Sequence, residues 1–167
     1  MTKGFSTGFK PVRRDRLIQE RRHDTYRSHG KLKEPTVCSR CGAVYRGGMW
    51  HWEEAPNDAQ THVCPACLRI EDDYPAGLVS LSGGFLDVHR EEILALARNE
   101  ESRAKSEHAL ERIMRIDQGE GETVVTTTDI HLARRIGEAV HHAYAGALDY
   151  HYQEGENRLR VNWRRDE

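Results

Sequence analysis

The chain has 167 residues with a formal net charge of −2, 31% charged and only 7% aromatic side chains. That length bounds it to one or two small domains. A mean hydropathy of −0.79, without a long apolar run, excludes a helical membrane span, and no stretch reads as a targeting peptide.

The charge is unevenly placed. Residues 1–33 hold ten Lys/Arg against Asp15, Glu20 and Asp24, so this arm carries +7 and the remaining 134 residues carry −9. Glycine, serine and basic residues dominate the arm, which is expected to be flexible or only partly helical, with a short charged helix over 15–26. An arm of this kind attracts a phosphate backbone, and Arg13, Arg14, Arg16, Arg21 and Arg22 are its candidate RNA contacts. The alternatives are a solubilising tail or a segment that folds back onto the acidic body.

Next come the four cysteines, arranged as Cys38-Ser-Arg-Cys41 and Cys64-Pro-Ala-Cys67 with 22 residues between the pairs. Two such knuckles can direct four thiolates at one tetrahedral ion. Gly42 stands where the chain must turn behind the ligands, and Pro65 stiffens the second turn. This spacing points to a structural zinc ribbon over 34–77, with Cys38, Cys41, Cys64 and Cys67 as ligands. Iron held as in rubredoxin is the alternative, although Leu68 stands where rubredoxins usually carry glycine. Disulfides and a thioredoxin-like redox pair fit less well, since no secretory segment or βαβ pattern accompanies the pairs.

Between the knuckles, Arg46-Gly47-Gly48-Met49-Trp50-His51-Trp52 sets two tryptophans beside an arginine. Arg46 and Trp50 are candidate RNA contacts through stacking on unpaired bases. Against this, a small zinc domain needs tryptophan for its core, and the strand period puts Trp50 and Trp52 on one face. His51 and His62 are spare potential ligands.

The segment 78–167 reads as an α+β domain. A short strand over 78–81 ends at Ser82-Gly83-Gly84, which is read as an ordinary turn. A helix capped by Asp87 follows, with Ile93, Leu94 and Ala97 on one side and a solvated end over 99–107. A hairpin over 112–128, with Met114 and Ile116 on one side, turns at Gln118-Gly119-Glu120-Gly121. Asp129 caps a second helix with Leu132, Ile136, Ala139, Val140 and Ala143 as its stripe, ended by Gly146; of His141 and His142, one is expected to be packed. Two strands close the chain, alternating Leu148, Tyr150, Tyr152 and then Leu159, Val161, Trp163. The order α-ββ-α-ββ predicts an antiparallel sheet with helices on one face. Arg158 and Arg160, in the opposite phase of the last strand with His151 and Gln153 beside them, are further candidate RNA contacts, or the wet side of the sheet.

Several blocks carry a family resemblance: Cys38-x-x-Cys41-Gly42-Ala43-Val44-Tyr45, Cys64-Pro65-Ala66-Cys67-Leu68-Arg69-Ile70, Tyr74-Pro75-Ala76-Gly77, the run from Thr127 to Gly137, and Leu159-Arg160-Val161-Asn162-Trp163. With these the chain resembles small bacterial zinc-ribbon proteins related to the archaeal and eukaryotic large-ribosomal-subunit export adaptor, described as NMD proteins affecting ribosome stability and mRNA decay. The resemblance implies a zinc-bearing protein associated with ribosomal RNA or the large subunit, with the four cysteines as its metal site; with no targeting peptide and no catalytic motif in the sequence, the chain is expected to be cytoplasmic and non-enzymatic. It implies no membrane and no small-molecule substrate. A zinc-ribbon adaptor for a protein partner is the alternative. A histidine-based ribonuclease is a further one, although no nucleophile elbow, phosphate loop or zinc-protease motif is present.

Overall fold

A computed structural model describes Tyr26 and residues 31–167. The predicted helix over 15–26 and the five arm arginines lie outside the described residues, Tyr26 excepted.

Four short strands form the first sheet: β1 (Thr36–Cys38), β2 (Val44–Arg46), β3 (Met49–His51) and β4 (Gln60–His62), in the order β3-β2-β1-β4. The first three pair antiparallel, and β4 runs parallel to β1. The turn from β1 to β2 passes through Gly42 at φ +80, a conformation that favours glycine, and it places Cys38 and Cys41 together. Helix α1 (Pro65–Asp72) starts at the second knuckle with proline in its first turn.

The second layer follows as β5 (Gly77–Ser82), α2 (Gly84–Glu107), β6 (Ile113–Gln118), β7 (Glu122–Thr127), α3 (Ile130–Tyr144), β8 (Ala147–Gln153) and β9 (Arg158–Arg164). The fold class is α+β, with the ribbon-like unit first. The sheet order β6-β7-β5-β9-β8 corrects one expectation: β5 is the central strand and runs parallel to β9, so the sheet is mixed. The other three pairings are antiparallel. Because β5 starts at Gly77, that residue belongs to this sheet and not to the ribbon.

The inward phases of β5, β7 and β9 bury Val79, Leu81, Val125, Leu159, Val161 and Trp163 against Ile93, Leu94 and Ala97 of α2 and Leu132, Ile136 and Val140 of α3. Asp129 caps α3 as expected, its Oδ1 accepting from the backbone N–H groups of His131 and Leu132 at 2.7 and 3.2 Å. Gly137 lets α3 approach β9 closely, since a Cβ there would lie 2.4 Å from Val161 Cγ1.

Other expectations shift. Helix α2 begins at Gly84, three residues before Asp87, and its far end is not simply solvated: Ala104 is buried and Glu100 faces Arg135 of α3 at 3.6 Å. A bulge between Ile113 and Arg115 puts Ile113 and Ile116 against the core in place of Met114 and Ile116. Both His141 and His142 are exposed, and so is Ala143. Among the described residues no helix is long and apolar enough to cross a membrane.

Residues 108–112 link α2 to β6 beside the start of α3. There the Glu111 carboxyl is pushed up to about 7, first by burial and then by Asp129, with Glu107 adding to the effect and Arg135 opposing it. Between the ordinary carboxyl value of 4.5 and about 7, the folded chain binds more protons than the unfolded one. Stability therefore falls as pH rises through that window, and the penalty is complete above it. Glu111→Gln removes the penalty, so the variant should gain about 1 kcal/mol at pH 8, discounted for the solvent screening of a half-exposed group, and almost nothing at pH 5. Urea denaturation at the two pH values measures this, and an equal effect at both would contradict it.

Candidate metal centre

The four cysteines arrive from two knuckles built in different ways. Cys38 ends β1 and Cys41 follows in the turn, whereas Cys64 is the N-cap of α1 and Cys67 lies in its first turn. Their sulfurs all lie within 4.8 Å of one another, with Cys38 and Cys67 at 3.9 Å and Cys41 and Cys64 at 3.8 Å. A tetrahedron with metal–sulfur bonds of about 2.3 Å has edges of about 3.8 Å, so the donor set fits one ion. A disulfide needs sulfurs at about 2.05 Å, and all four cysteines are free. His51 and His62 are exposed and do not join the cluster.

Backbone N–H groups supplement the thiolates. Arg40 and Cys64 donate to Cys38 Sγ at 3.4 and 3.2 Å, and Cys67 donates to Cys64 Sγ at 3.5 Å. Burial pushes the Cys38 thiol up, but the backbone donors of Cys64, Cys41 and Arg40 outweigh it and bring the thiol down to about 6. Burial prevails at Cys64 and Cys67, whose thiols are raised. A bound cation favours the thiolate at every position.

The residue that sequence reasoning missed is Arg112. It lies 7% exposed, and its guanidinium donates from Nη1 to Cys67 Sγ at 3.3 Å and from Nη2 to Cys41 Sγ at 3.2 Å. Nη2 also lies 3.8 Å from Cys64 Sγ. Three other contacts fix it: Nε donates to Ala109 O at 2.9 Å, its backbone N–H donates to Thr128 Oγ1 at 2.9 Å, and Trp52 lies under the guanidinium carbon at 5.2 Å. Burial works against its charge, but hydrogen bonds to the Cys41 and Cys67 sulfurs more than restore it, and its pKa is raised. A cation from the α+β domain thus closes over a tetrathiolate from the ribbon. The only local signal was a charged residue ending the run Ala109-Leu110-Glu111, and nothing in it names a partner 45 positions away.

The proposed RNA contacts are dispersed. Trp50 is 8% exposed and packs against Tyr45 at 5.4 Å, so its rings belong to the ribbon core and are not offered to bases. Trp52 does not share its face: β3 ends at His51, and Trp52 turns to donate from Nε1 to Lys105 O at 2.8 Å. Arg46 is exposed and pairs with Glu53 at 3.1 Å. Arg158 sits over the Tyr74 ring at 4.8 Å and faces Glu156, while Arg160 is exposed on β9.

Replacing Arg112 with leucine removes the charge that offsets the thiolates while keeping an apolar volume in place. The expected result is metal affinity lowered by about ten- to a hundredfold, the usual range for groups that support ligands. Competition with a chromophoric chelator reads it directly. An unchanged affinity would mean that the contact is incidental.

No protein-family model, no curated protein and no solved structure matches this chain. The chemistry assigned to the centre rests on its own four sulfurs and the arginine over them.

Proposed function

We propose that the chain is a non-enzymatic zinc protein that associates with ribosomal RNA or the large ribosomal subunit and affects ribosome stability or mRNA decay. The observation that carries the first half is the closed donor set: four protein sulfurs at tetrahedral spacing leave an ion no position for water or substrate. Zinc suits such a site as a structural ion, since it holds four thiolates without redox chemistry. The second half is supported by the charge division, +7 on residues 1–33 against −9 on the rest, and by the resemblance of the knuckle, Thr127–Gly137 and closing-strand blocks to the ribosome-linked family. The cytoplasm is the compartment proposed, because it keeps thiols reduced and available for metal.

The ribbon's buried apolar set is small, chiefly Trp50 and Val44 with Ala43 and Ala66 beside the cysteines. Zinc should therefore supply most of its folding free energy, on the order of 10 kcal/mol as apparent binding. Purified protein should carry one zinc per chain and little iron by elemental analysis. Cys38→Ser should lose the ion and the ribbon's NMR dispersion while the α+β domain keeps its own. Retention of both by the variant would refute the assignment.

The partner is tested by sedimentation of tagged protein in cell lysate through sucrose gradients at low and moderate salt. Co-migration with the large subunit that is lost as salt rises is the expected outcome. Material that stays at the top of both gradients would overturn the ribosome reading and favour a protein-binding adaptor.

A further inference from the structure

Among the described residues, helices α2 and α3 pack on one face of the second sheet. The inward residues of β5 and β9 are buried beneath α2 and α3, while the opposite phase of β9 presents Arg160, Asn162 and Arg164, all exposed. The register extends this phase sideways. Arg160 lies between Leu78 of β5 and His151 of β8, Asn162 between Ser80 and Asp149, and Arg164 between Ser82 and Ala147.

The chemistry of this face is specific. Asp149 is the one carboxylate in the outward phase of these three strands, and Glu122 of the adjoining β7 borders the face at β5, where it accepts from Ser80 Oγ at 2.7 Å. Among the described residues no carboxylate pairs with Arg160, whereas Arg164 has Asp166 at 2.9 Å. At the end of the strand, Arg158 is held over Tyr74, which stacks on Tyr26 at 5.9 Å, and Tyr26 donates to Asp72 at 2.9 Å. Outward residues two apart on one strand stand about 6.7 Å from each other. Arg160 therefore follows Arg158 at that spacing and Arg164 lies about 13 Å beyond Arg160, a row that an extended phosphodiester backbone can follow. The stack also joins the row to Tyr26, where the described chain meets the basic arm.

We infer that this helix-free face, centred on β9 and β8, is the RNA-contacting surface of the folded body, with Arg160 and Arg164 on phosphates and Asn162 within reach of 2′-hydroxyls. The inference rests on the RNA reading above and adds the site to it. A protein partner fits the face less well, because protein interfaces centre on large apolar or aromatic anchors. The exposed large apolar side chains among the described residues are Met49, Trp52, Ile70, Tyr74 and Val88, and none lies on these strands.

The test is fluorescence anisotropy of a short labelled single-stranded RNA against the full chain, across a salt series. It compares wild type, Arg160→Glu and, as a control of equal charge change, Arg98→Glu on the exposed side of α2. Circular dichroism and metal content confirm that each variant is folded. Arg160→Glu should weaken binding about tenfold and reduce the salt slope by about 0.7, the share of one phosphate contact on a single strand. Arg98→Glu should change affinity less than about twofold. Wild-type binding with equal effects from both variants, or with none from Arg160→Glu, would overturn the face and leave the RNA reading standing. No binding by wild type at low salt would overturn both.

Discussion

The structure depends on one buried contact, the guanidinium of Arg112 on the sulfurs of Cys41 and Cys67. Four thiolates around a divalent ion would carry a formal charge of −2 in a site where Cys64 is fully buried and Cys38 almost so. A buried charge is tolerable only with partners. The backbone N–H groups at Cys38 and Cys64 supply dipoles, and among the described residues Arg112 supplies the one full positive charge seen on the sulfurs. Arg112 belongs to the other unit, at the entrance to β6, where its backbone N–H is tied through Thr128 Oγ1 to the end of β7. Charge balance at the ion is therefore also the joint between the ribbon and the α+β domain.

The two units are held by different forces. The sheet with α2 and α3 encloses Trp163, Leu81, Leu86, Ile93, Leu94, Leu132 and Ile136 with less than 2% exposure each, and burial on that scale is the ordinary source of folding free energy. The ribbon has strands of three residues, too short to stand alone, and a metal held by its four cysteines would substitute for a core. Loss of the metal is thus expected to act on the ribbon and on the joint, and to leave the sheet largely untouched.

The sequence made local features legible. Cysteine spacing gave the ligand set, a β-branched run gave β7, Asp129 gave the start of α3, and alternation gave β8 and β9 with their inward phases. Features decided at long range were not legible. The short run over 78–81 reads as a minor strand, yet β5 is the centre of the sheet and pairs parallel with β9, some eighty residues later; nothing in its own residues selects that neighbour. The start of α2 was misplaced because Gly83 caps it without a side-chain hydrogen bond, and so without the polar signature that Asp87 seemed to offer. The bulge in β6 shifts a phase that simple alternation assigns wrongly. Trp50 was ambiguous for a different reason: an aromatic beside arginine has the same local pattern whether it meets a base or a core, and only its contact with Tyr45 separates the two.

Net charge hides the same distinction between local and assembled properties. The body carries −9 outside residues 1–33, which taken as an average would repel a nucleic acid. Its carboxylates are not spread evenly, however. Helix α2 alone holds Asp87, Glu91, Glu92, Glu100, Glu101 and Glu107, and it covers the opposite side of the sheet from the outward residues of β9. Strand β9 carries Arg158, Arg160 and Arg164 with no acid among its seven residues. Arg90, Arg98, Arg103 and Lys105 leave α2 a net −2, so the fold sets the basic strip of β9 opposite a mildly acidic helix. Through Arg69 and Tyr74, which contact Tyr26 at 4.5 and 5.9 Å, it sets Tyr26 against the ribbon helix beside that strip. A bound ion would act on this arrangement indirectly: by holding Cys64 and Cys67 at the start of α1, it would fix the helix on which Tyr26 rests.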